Sequence, residues 1–194
     1  MSNLSFRQAR LDDADALAAL VNHAGEGMPL WLWETMREPG ETAWDVGRRR
    51  AAREEGSFSY RNALVADIDG RAVGALIGYA QPAEPEPIDY AAMPPMFVPL
   101  QELENLAPDS WYVNVLAVDP AFRGKGIGGK LLGIADETAT LAGKPGLSVI
   151  VSDANPGARR LYLRCGYREA ATRPMVKDSW PGHGSAWILL TKTL

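Results

Sequence analysis

The feature that most constrains this chain is a glycine-rich run that lies between an apolar segment and an amphipathic one. Residues 117–132 read AVDPAFRGKGIGGKLL. Two phosphate-binding patterns overlap in it: Gly124-x-Gly126-x-x-Gly129 matches a dinucleotide fingerprint, and Gly124 followed by Gly129-Lys130 matches most of a Walker A loop. Such a run predicts a helix that points its N-terminus at a phosphate, because the first N–H groups of a helix have no partner within it.

The flanking residues weaken both patterns. A Walker A loop needs Ser or Thr after its lysine to hold magnesium, and here Leu131 follows Lys130. A dinucleotide loop follows its strand directly and leads into further βαβ units. In this chain Asp119–Arg123 separate the apolar run from the glycines, although Asp153 lies where a ribose-binding acid would be expected. An NAD(P)-binding enzyme therefore remains an alternative.

A third pattern, Arg123-Gly124-x-Gly126-x-Gly128, fits its surroundings better. Trp111–Val118 is almost wholly apolar and predicts a buried strand. Residues 128–142 predict an amphipathic helix that Gly143 ends. Between these two elements, backbone N–H groups at the helix N-terminus can bind a pyrophosphate. The sequence therefore predicts a pyrophosphate loop at 123–128.

Other segments complete an α/β pattern. Asp69-Gly70 between Ala63–Ile68 and Ala72–Tyr79 predicts a β-hairpin, since Asp-Gly favours a tight two-residue turn. Leu147–Val151 predicts a second buried strand, and Asn155-Pro156 after it predicts a capped helix start.

Length and composition limit the class of protein. The chain has 194 residues, which predicts a single domain over 1–194. A net charge of −4 argues against a nucleic-acid partner, and no apolar run predicts a membrane span or a signal peptide. One cysteine fits a reducing compartment, and with two histidines it makes no metal-binding pattern. We expect a cytoplasmic protein without a metal and without a membrane or nucleic-acid partner.

Residues 81–110 predict a Pro-rich, acidic loop. The segment holds seven of the 14 prolines, and loops of this length in a compact domain often cover a binding site. No Lys or Arg lies between Arg71 and Arg123, and the carboxylates of that span are Glu84, Glu86, Asp89, Glu102, Glu104, Asp109 and Asp119. Such a stretch would attract a cation if it lay beside a cleft, while a solubilising surface is the equal alternative.

Two motifs carry a family resemblance. LAVDPAFRGKGIGGKLL (residues 116–132) resembles motif A of the GNAT superfamily of acyl-CoA N-acyltransferases, and NPGARRLYLRCGY (residues 155–167) resembles its next motif, N-x-x-A-x-x-L-Y-x-x-x-G-F/Y. The resemblance is strongest over 111–168. It implies an α/β (α+β) fold, in which a mixed, mostly antiparallel central sheet with splayed middle strands is flanked by helices.

The resemblance also implies a reaction and a donor. Acetyl-CoA would be the co-substrate, with no metal, and the acetyl group would pass by direct attack, through a tetrahedral intermediate, to a primary amine. The acceptor would be a small cationic molecule or a protein or peptide amine, and a homodimer is compatible because dimers are common in the family. The implied cofactor-binding residues are Leu116, Ala117, Val118, Arg123, Gly124, Lys125, Gly126, Ile127, Gly128, Asn155 and Tyr162.

The catalytic residues are only partly implied. Tyr162 occupies the tyrosine position that serves as general acid in many relatives. Asn114 lies where many relatives have a glutamate base, and an amide cannot act as a base at neutral pH. Glu102 and Glu104 are then the candidate bases, and deprotonation through water stays open. The missing acid at Asn114 also keeps a non-catalytic CoA-binding sensor or regulatory module as an alternative.

Overall fold

The structure is a computed structural model that describes residues 3–194. Over these residues the strands are β1 (Leu4–Gln8), β2 (Ala63–Ile68), β3 (Arg71–Ala80), β4 (Trp111–Val118), β5 (Gly146–Ser152), β6 (Arg168–Pro174) and β7 (Ala186–Thr193). The helices are α1 (Ala14–Ala24), α2 (Met28–Thr35), α3 (Ala43–Ala51), α4 (Val98–Glu104), α5 (Ile127–Leu141) and α6 (Pro156–Arg164). None of the helices in the described part of the chain is long and apolar enough to cross a membrane.

All seven strands belong to one open sheet, in the order β1-β2-β3-β4-β5-β7-β6. The pairs β1–β2, β2–β3, β5–β7 and β6–β7 are antiparallel, whereas β4 and β5 are parallel. The fold class predicted from the sequence, a mixed and mostly antiparallel sheet flanked by helices, is therefore confirmed. The β4–β5 pairing joins Trp111–Val113 to Leu147–Val149, and β4 itself continues to Val118.

Internal contacts divide the chain into two compact units. The first comprises the described residues up to Gly78 together with Val115–Leu132, and the second comprises Tyr79–Asn114 and Gly133–Leu194. In the first unit, α1 and α3 pack together around a core that includes Leu17, Trp33, Val46, Val65 and Ile77. In the second unit, α4 packs on β5, β6 and β7, and the buried side chains include Leu103, Leu147, Leu189 and Leu190.

The predicted hairpin and helix cap are both present. Asp69 and Gly70 have φ of 53° and 86°, as a two-residue hairpin turn with left-handed backbone requires, and Ile68 pairs with Arg71 across it. At the start of α6, the Oδ1 of Asn155 accepts a hydrogen bond of 3.1 Å from Ala158 N. Both features were predicted because each depends on residues close together in the chain.

The segment 81–110 differs from its prediction as one long irregular loop. It contains a short 3-10 turn at Pro95–Phe97 and then α4. Pro99 lies in the first turn of α4, where a residue without an N–H breaks no intrahelical hydrogen bond. A proline-rich segment can therefore still contain a helix, provided that the proline lies in the helix's first turn.

A buried ion-pair network joins β1, β2 and the chain before α1. The Nη1 and Nη2 of Arg7 donate to the carboxylate of Asp13 at 2.7 and 2.9 Å, and its Nε donates to Asp67 at 2.8 Å. The N–H of Arg10 also donates to Asp13, at 2.7 Å. The Arg7 guanidinium holds the pKa of Asp13 below its usual range, although burial acts in the opposite direction.

Replacing Asp13 by Asn is expected to lower the free energy of unfolding at neutral pH by about 2 to 4 kcal/mol, because Arg7 loses a buried partner. The pKa of Asp13 is lower in the folded than in the unfolded chain. Its stabilising contribution is therefore present above the unfolded pKa of about 3.9 and is lost as the pH falls through the folded value. Urea unfolding at several pH values should show that the free energies of unfolding of the variant and the wild-type protein become more similar in acid.

Asp15 provides the matched control, because its carboxylate is exposed and pairs with Arg48 at the surface. Asp15→Asn is expected to change the free energy of unfolding by less than about 0.5 kcal/mol. Equal losses in the two variants, or an Asp13→Asn loss that persists in acid, would contradict the interpretation.

Candidate active site

The glycine-rich loop lies in the first unit, between the end of β4 and the start of α5. Asp119 caps a 3-10 turn at Pro120–Phe122, where its Oδ1 accepts a hydrogen bond of 2.9 Å from Ala121 N. Its own N–H donates to Val73 O at 2.8 Å, so the end of β4 is held against β3. The loop therefore leaves the sheet at a fixed point.

Two glycines give this loop its shape. Gly124 and Gly126 have φ of 76° and 77°, the left-handed region that other residues rarely adopt. A Cβ built on either glycine would meet no protein atom within 4 Å. Backbone conformation, and not crowding by the protein, is thus what requires glycine here, and the space outside the loop is open to a ligand.

The loop ends at the N-terminus of α5. The helix begins at Ile127, and Lys130 N donates to Gly126 O at 3.1 Å. The N–H groups of the residues before Lys130 in this first turn have no acceptor within the helix, and they carry the positive end of its dipole. This end of α5 can therefore bind an anion such as a pyrophosphate.

The basic side chains of the loop have separate contacts. Arg123 is exposed, and its Nε donates to Val118 O at 3.0 Å, which ties the loop back to the strand. Lys125 places its Nζ 5.0 Å from the centre of the Phe122 ring. Along the strand, Leu116 and Val118 are half-buried while Ala117 is buried. The structure thus groups the predicted donor-binding residues 116–118 and 123–128 in the first unit.

Asn155 and Tyr162 lie in the second unit, at the N-cap of α6 and within it. Asn155 is half-buried and caps the helix, as described above. Tyr162 is 5% exposed, and its ring lies 5.7 Å from that of Tyr167. Burial raises the pKa of Tyr162, so its phenol stays protonated at neutral pH and can act as a proton donor.

The two candidate bases differ in their surroundings. Glu102 accepts a hydrogen bond of 2.7 Å from Arg173 Nε, which makes it one half of an ion pair. Glu104 is half-buried and accepts a hydrogen bond of 3.0 Å from Gln81 Nε2. Burial raises the pKa of Glu104, the Gln81 hydrogen bond opposes this, and the charge of Glu86 adds to it. Glu104 is therefore the better proton acceptor near neutral pH.

Tyr112, which the sequence analysis missed, is a buried residue whose pKa depends on two of the catalytic candidates, Glu104 and Tyr162. It is 5% exposed, and burial raises its pKa, with further contributions from Glu104, Tyr79 and Tyr162. The ring of Tyr79 packs against it edge to face at 5.6 Å. Within the second unit, Glu104 and Tyr162 therefore both act electrostatically on one buried tyrosine.

A sequence signal for Tyr112 did exist. Side chains of a strand alternate between its two faces, so Tyr112 lies on the same face of β4 as Asn114. Asn114 is half-buried in this strand and follows the last residue of β4 that pairs with β5. The alternation of side chains along β4 would thus have predicted that Tyr112 lies on the same face as Asn114. No pattern in neighbouring residues predicted that Gln81 would be the hydrogen-bond partner of Glu104.

The chain also matches a family model. Residues 26–167 match the model of the Acetyltransferase (GNAT) family, which is well over half of the chain. A relative from Mycobacterium leprae (strain TN), described as an uncharacterized protein, is 33% identical over 93 residues. That match spans 48% of this chain and only 24% of the relative's length.

Solved structures share the fold over almost the whole chain. A crystal structure of an acetyltransferase covers 97% of this chain and 98% of its own, with 26% identity and a TM-score of 0.66. N-acetyltransferase from Staphylococcus aureus Mu50 covers 96% and 99%, with 21% identity and a TM-score of 0.65. A GNAT family acetyltransferase from Elizabethkingia anophelis with acetyl-CoA bound covers 99% of both chains, with 16% identity and a TM-score of 0.61. The last two support the fold alone. The family match, over residues 26–167, establishes that the chain belongs to the GNAT family of acetyltransferases.

Proposed function

We propose that the chain is an N-acetyltransferase that uses acetyl-CoA and acetylates a primary amine, either of a small cationic molecule or of a protein or peptide. The observation that carries the proposal is the loop in which left-handed Gly124 and Gly126 lead into the N-terminus of α5. Main-chain N–H groups there suit the pyrophosphate of CoA, and the open space outside both glycines leaves room for it. The proposal includes the single domain predicted for residues 1–194.

Bound acetyl-CoA supplies the thioester carbonyl that an amine attacks. In the proposed mechanism Glu104 accepts the proton that the ammonium group must lose, because its raised pKa suits that transfer better than an ion-paired carboxylate does. The N–H of Leu116 donates to the carbonyl oxygen as negative charge develops on it. Tyr162 gives its phenolic proton to the departing sulfur and regains one from the nitrogen of the new amide, and Asn114 holds a water molecule or the acceptor.

The acidic character of the second unit supports the choice of an amine. Burial raises the pKa of Tyr79, and the charges of Glu104 and Glu86 raise it further, so two carboxylates act on the same half-buried ring. Carboxylates beside exposed or half-buried aromatic rings favour a cation over an anion. A cationic amine is therefore the acceptor class that Glu104, Glu86 and Tyr79 suit best.

The experiment is a thiol-release assay on the purified protein with acetyl-CoA and a panel of polyamines, amino acids, aminoglycosides and peptides. We expect release of CoA thiol with at least one amine, and mass spectrometry should find that amine heavier by one acetyl group. Stabilisation by acetyl-CoA, about 2.7 kcal/mol at 100 times Kd, measures donor binding independently of turnover.

Other outcomes distinguish the alternatives. Binding of acetyl-CoA without release of CoA thiol in the presence of any amine would contradict the proposed enzymatic activity and favour a CoA-binding sensor. Thermal stabilisation by NAD(P) but not by acetyl-CoA would favour a dinucleotide-binding protein.

A further inference from the structure

A second group of positive charges lies beside the glycine-rich loop, on the 3-10 turn that precedes it. The Cζ of Arg71 lies 5.7 Å, and the Nζ of Lys125 5.0 Å, from the centre of the Phe122 ring. We call Arg71, Phe122 and Lys125 the Phe122 cluster. Both distances are within the range of a cation–π interaction, so one half-buried ring contacts two cations.

The fold brings Arg71 to this position from far along the chain. Arg71 begins β3, and the hydrogen bond from Asp119 N to Val73 O holds that strand against the end of β4. Asp119 also accepts a hydrogen bond of 2.9 Å from Arg71 Nη2. Two contacts, one with Asp119 and one with Phe122, therefore fix the guanidinium beside the loop.

The charges of the cluster are available to a ligand. The Arg71 side chain is 68% exposed, and Lys125 is exposed as well. Asp119 neutralises one of the two cations, which leaves the cluster with a net positive charge in a chain whose net charge is −4. Two cations on one ring repel each other, so an anion with two negative charges would be bound favourably between them.

The main-chain N–H groups of the glycine loop and the cations of the Phe122 cluster suit different phosphate groups of CoA. The pyrophosphate is accommodated by the N–H groups at the start of α5, beyond Gly124. The cluster is centred on the turn before the loop, and CoA carries one further phosphate, the 3′-phosphate of its ribose. A phosphate monoester carries about −1.5 to −2 at neutral pH, and a guanidinium binds such a group in a bidentate manner.

We propose that Arg71, positioned by Phe122 and aided by Lys125, binds the 3′-phosphate of CoA, so that the protein selects acetyl-CoA over acetyl-dephospho-CoA. This inference rests on the proposed function, since it assumes that CoA is the donor. It adds two residues, Arg71 and Phe122, to those that the family motif implies, and it assigns them, with Lys125 of the loop, to a part of the donor that the main-chain N–H groups of the loop do not bind.

The test compares the two donors, which differ only in the 3′-phosphate. Calorimetric titration of the wild-type protein should give a Kd for acetyl-CoA about tenfold lower than that for acetyl-dephospho-CoA. Arg71→Gln should raise the Kd for acetyl-CoA about five- to tenfold and leave that for acetyl-dephospho-CoA nearly unchanged. Arg71→Lys keeps the charge and should restore part of the selectivity.

Arg61 gives a matched control in the same unit. It is exposed, pairs with Glu54, and its Cζ lies 5.1 Å from the centre of the Tyr60 ring. Its contacts are therefore of the same kinds as those of Arg71, but with residues outside the Phe122 cluster and the glycine loop. Arg61→Gln should leave both Kd values unchanged. Equal wild-type affinity for the two donors, or an equal loss for both in Arg71→Gln, would overturn the inference. Failure to bind either donor would overturn the proposed donor itself.

Discussion

Tyr162→Phe is expected to lower kcat by about 10²- to 10³-fold while leaving the KM for acetyl-CoA nearly unchanged, because a positioned general acid contributes about 10²- to 10⁴-fold. The phenol is buried, and burial raises its pKa, so at neutral pH it carries the proton that the leaving sulfur needs. Phenylalanine keeps the ring that packs 5.7 Å from Tyr167 and removes only the hydroxyl. Steady-state kinetics with a fixed amine measures the effect.

Tyr167→Phe is the matched control. Tyr167 is 2% exposed, and among the described residues its hydroxyl has no hydrogen-bond partner. Removing an unsatisfied buried hydroxyl should be neutral or slightly stabilising, and kcat should stay within about twofold of the wild-type value. A Tyr162→Phe variant with nearly wild-type kcat would show that the proton comes from water or from another group.

Glu104→Gln is expected to reduce kcat/KM for the amine by about 10²-fold, because the proposed general base is lost while the size of the side chain is kept. Burial raises the pKa of Glu104, so in the wild-type protein activity should fall as the pH drops through a value above the ordinary pKa of about 4.3. The variant should lack this inflection. A pH profile of kcat/KM in both proteins measures it.

Stability helps to separate this loss from misfolding. A carboxylate whose pKa is raised in the folded chain destabilises the fold above its unfolded pKa, so Glu104→Gln should be at least as stable as the wild-type protein at neutral pH. Glu102→Gln, on the same helix, is the control: it breaks the ion pair with Arg173 but should keep the inflection. If kcat/KM of Glu104→Gln still fell at low pH with the same inflection as the wild-type protein, Glu104 would be excluded as the base.

Much of the fold followed from short-range patterns. β2 and β4 have the bounds that their apolar runs predicted, and the turn at Asp69-Gly70 formed because Asp-Gly tolerates left-handed backbone at both positions. The prediction failed within 81–110, where α4 forms although the segment is rich in proline. Proline stops a helix in its interior but fits the first turn, so composition alone could not separate the two cases.

The sequence by itself determined the glycine loop and the helix caps, because left-handed φ at Gly124 and Gly126 and the cap at Asn155 depend on neighbouring residues. Only the tertiary structure gave the two candidate bases different surroundings. Glu102 and Glu104 lie on one short helix, yet Arg173 pairs with the first and Gln81 with the second. It also decided that Arg71 lies beside Phe122. These contacts join residues far apart in the chain, and strand order, which no local pattern encodes, is what brings them together.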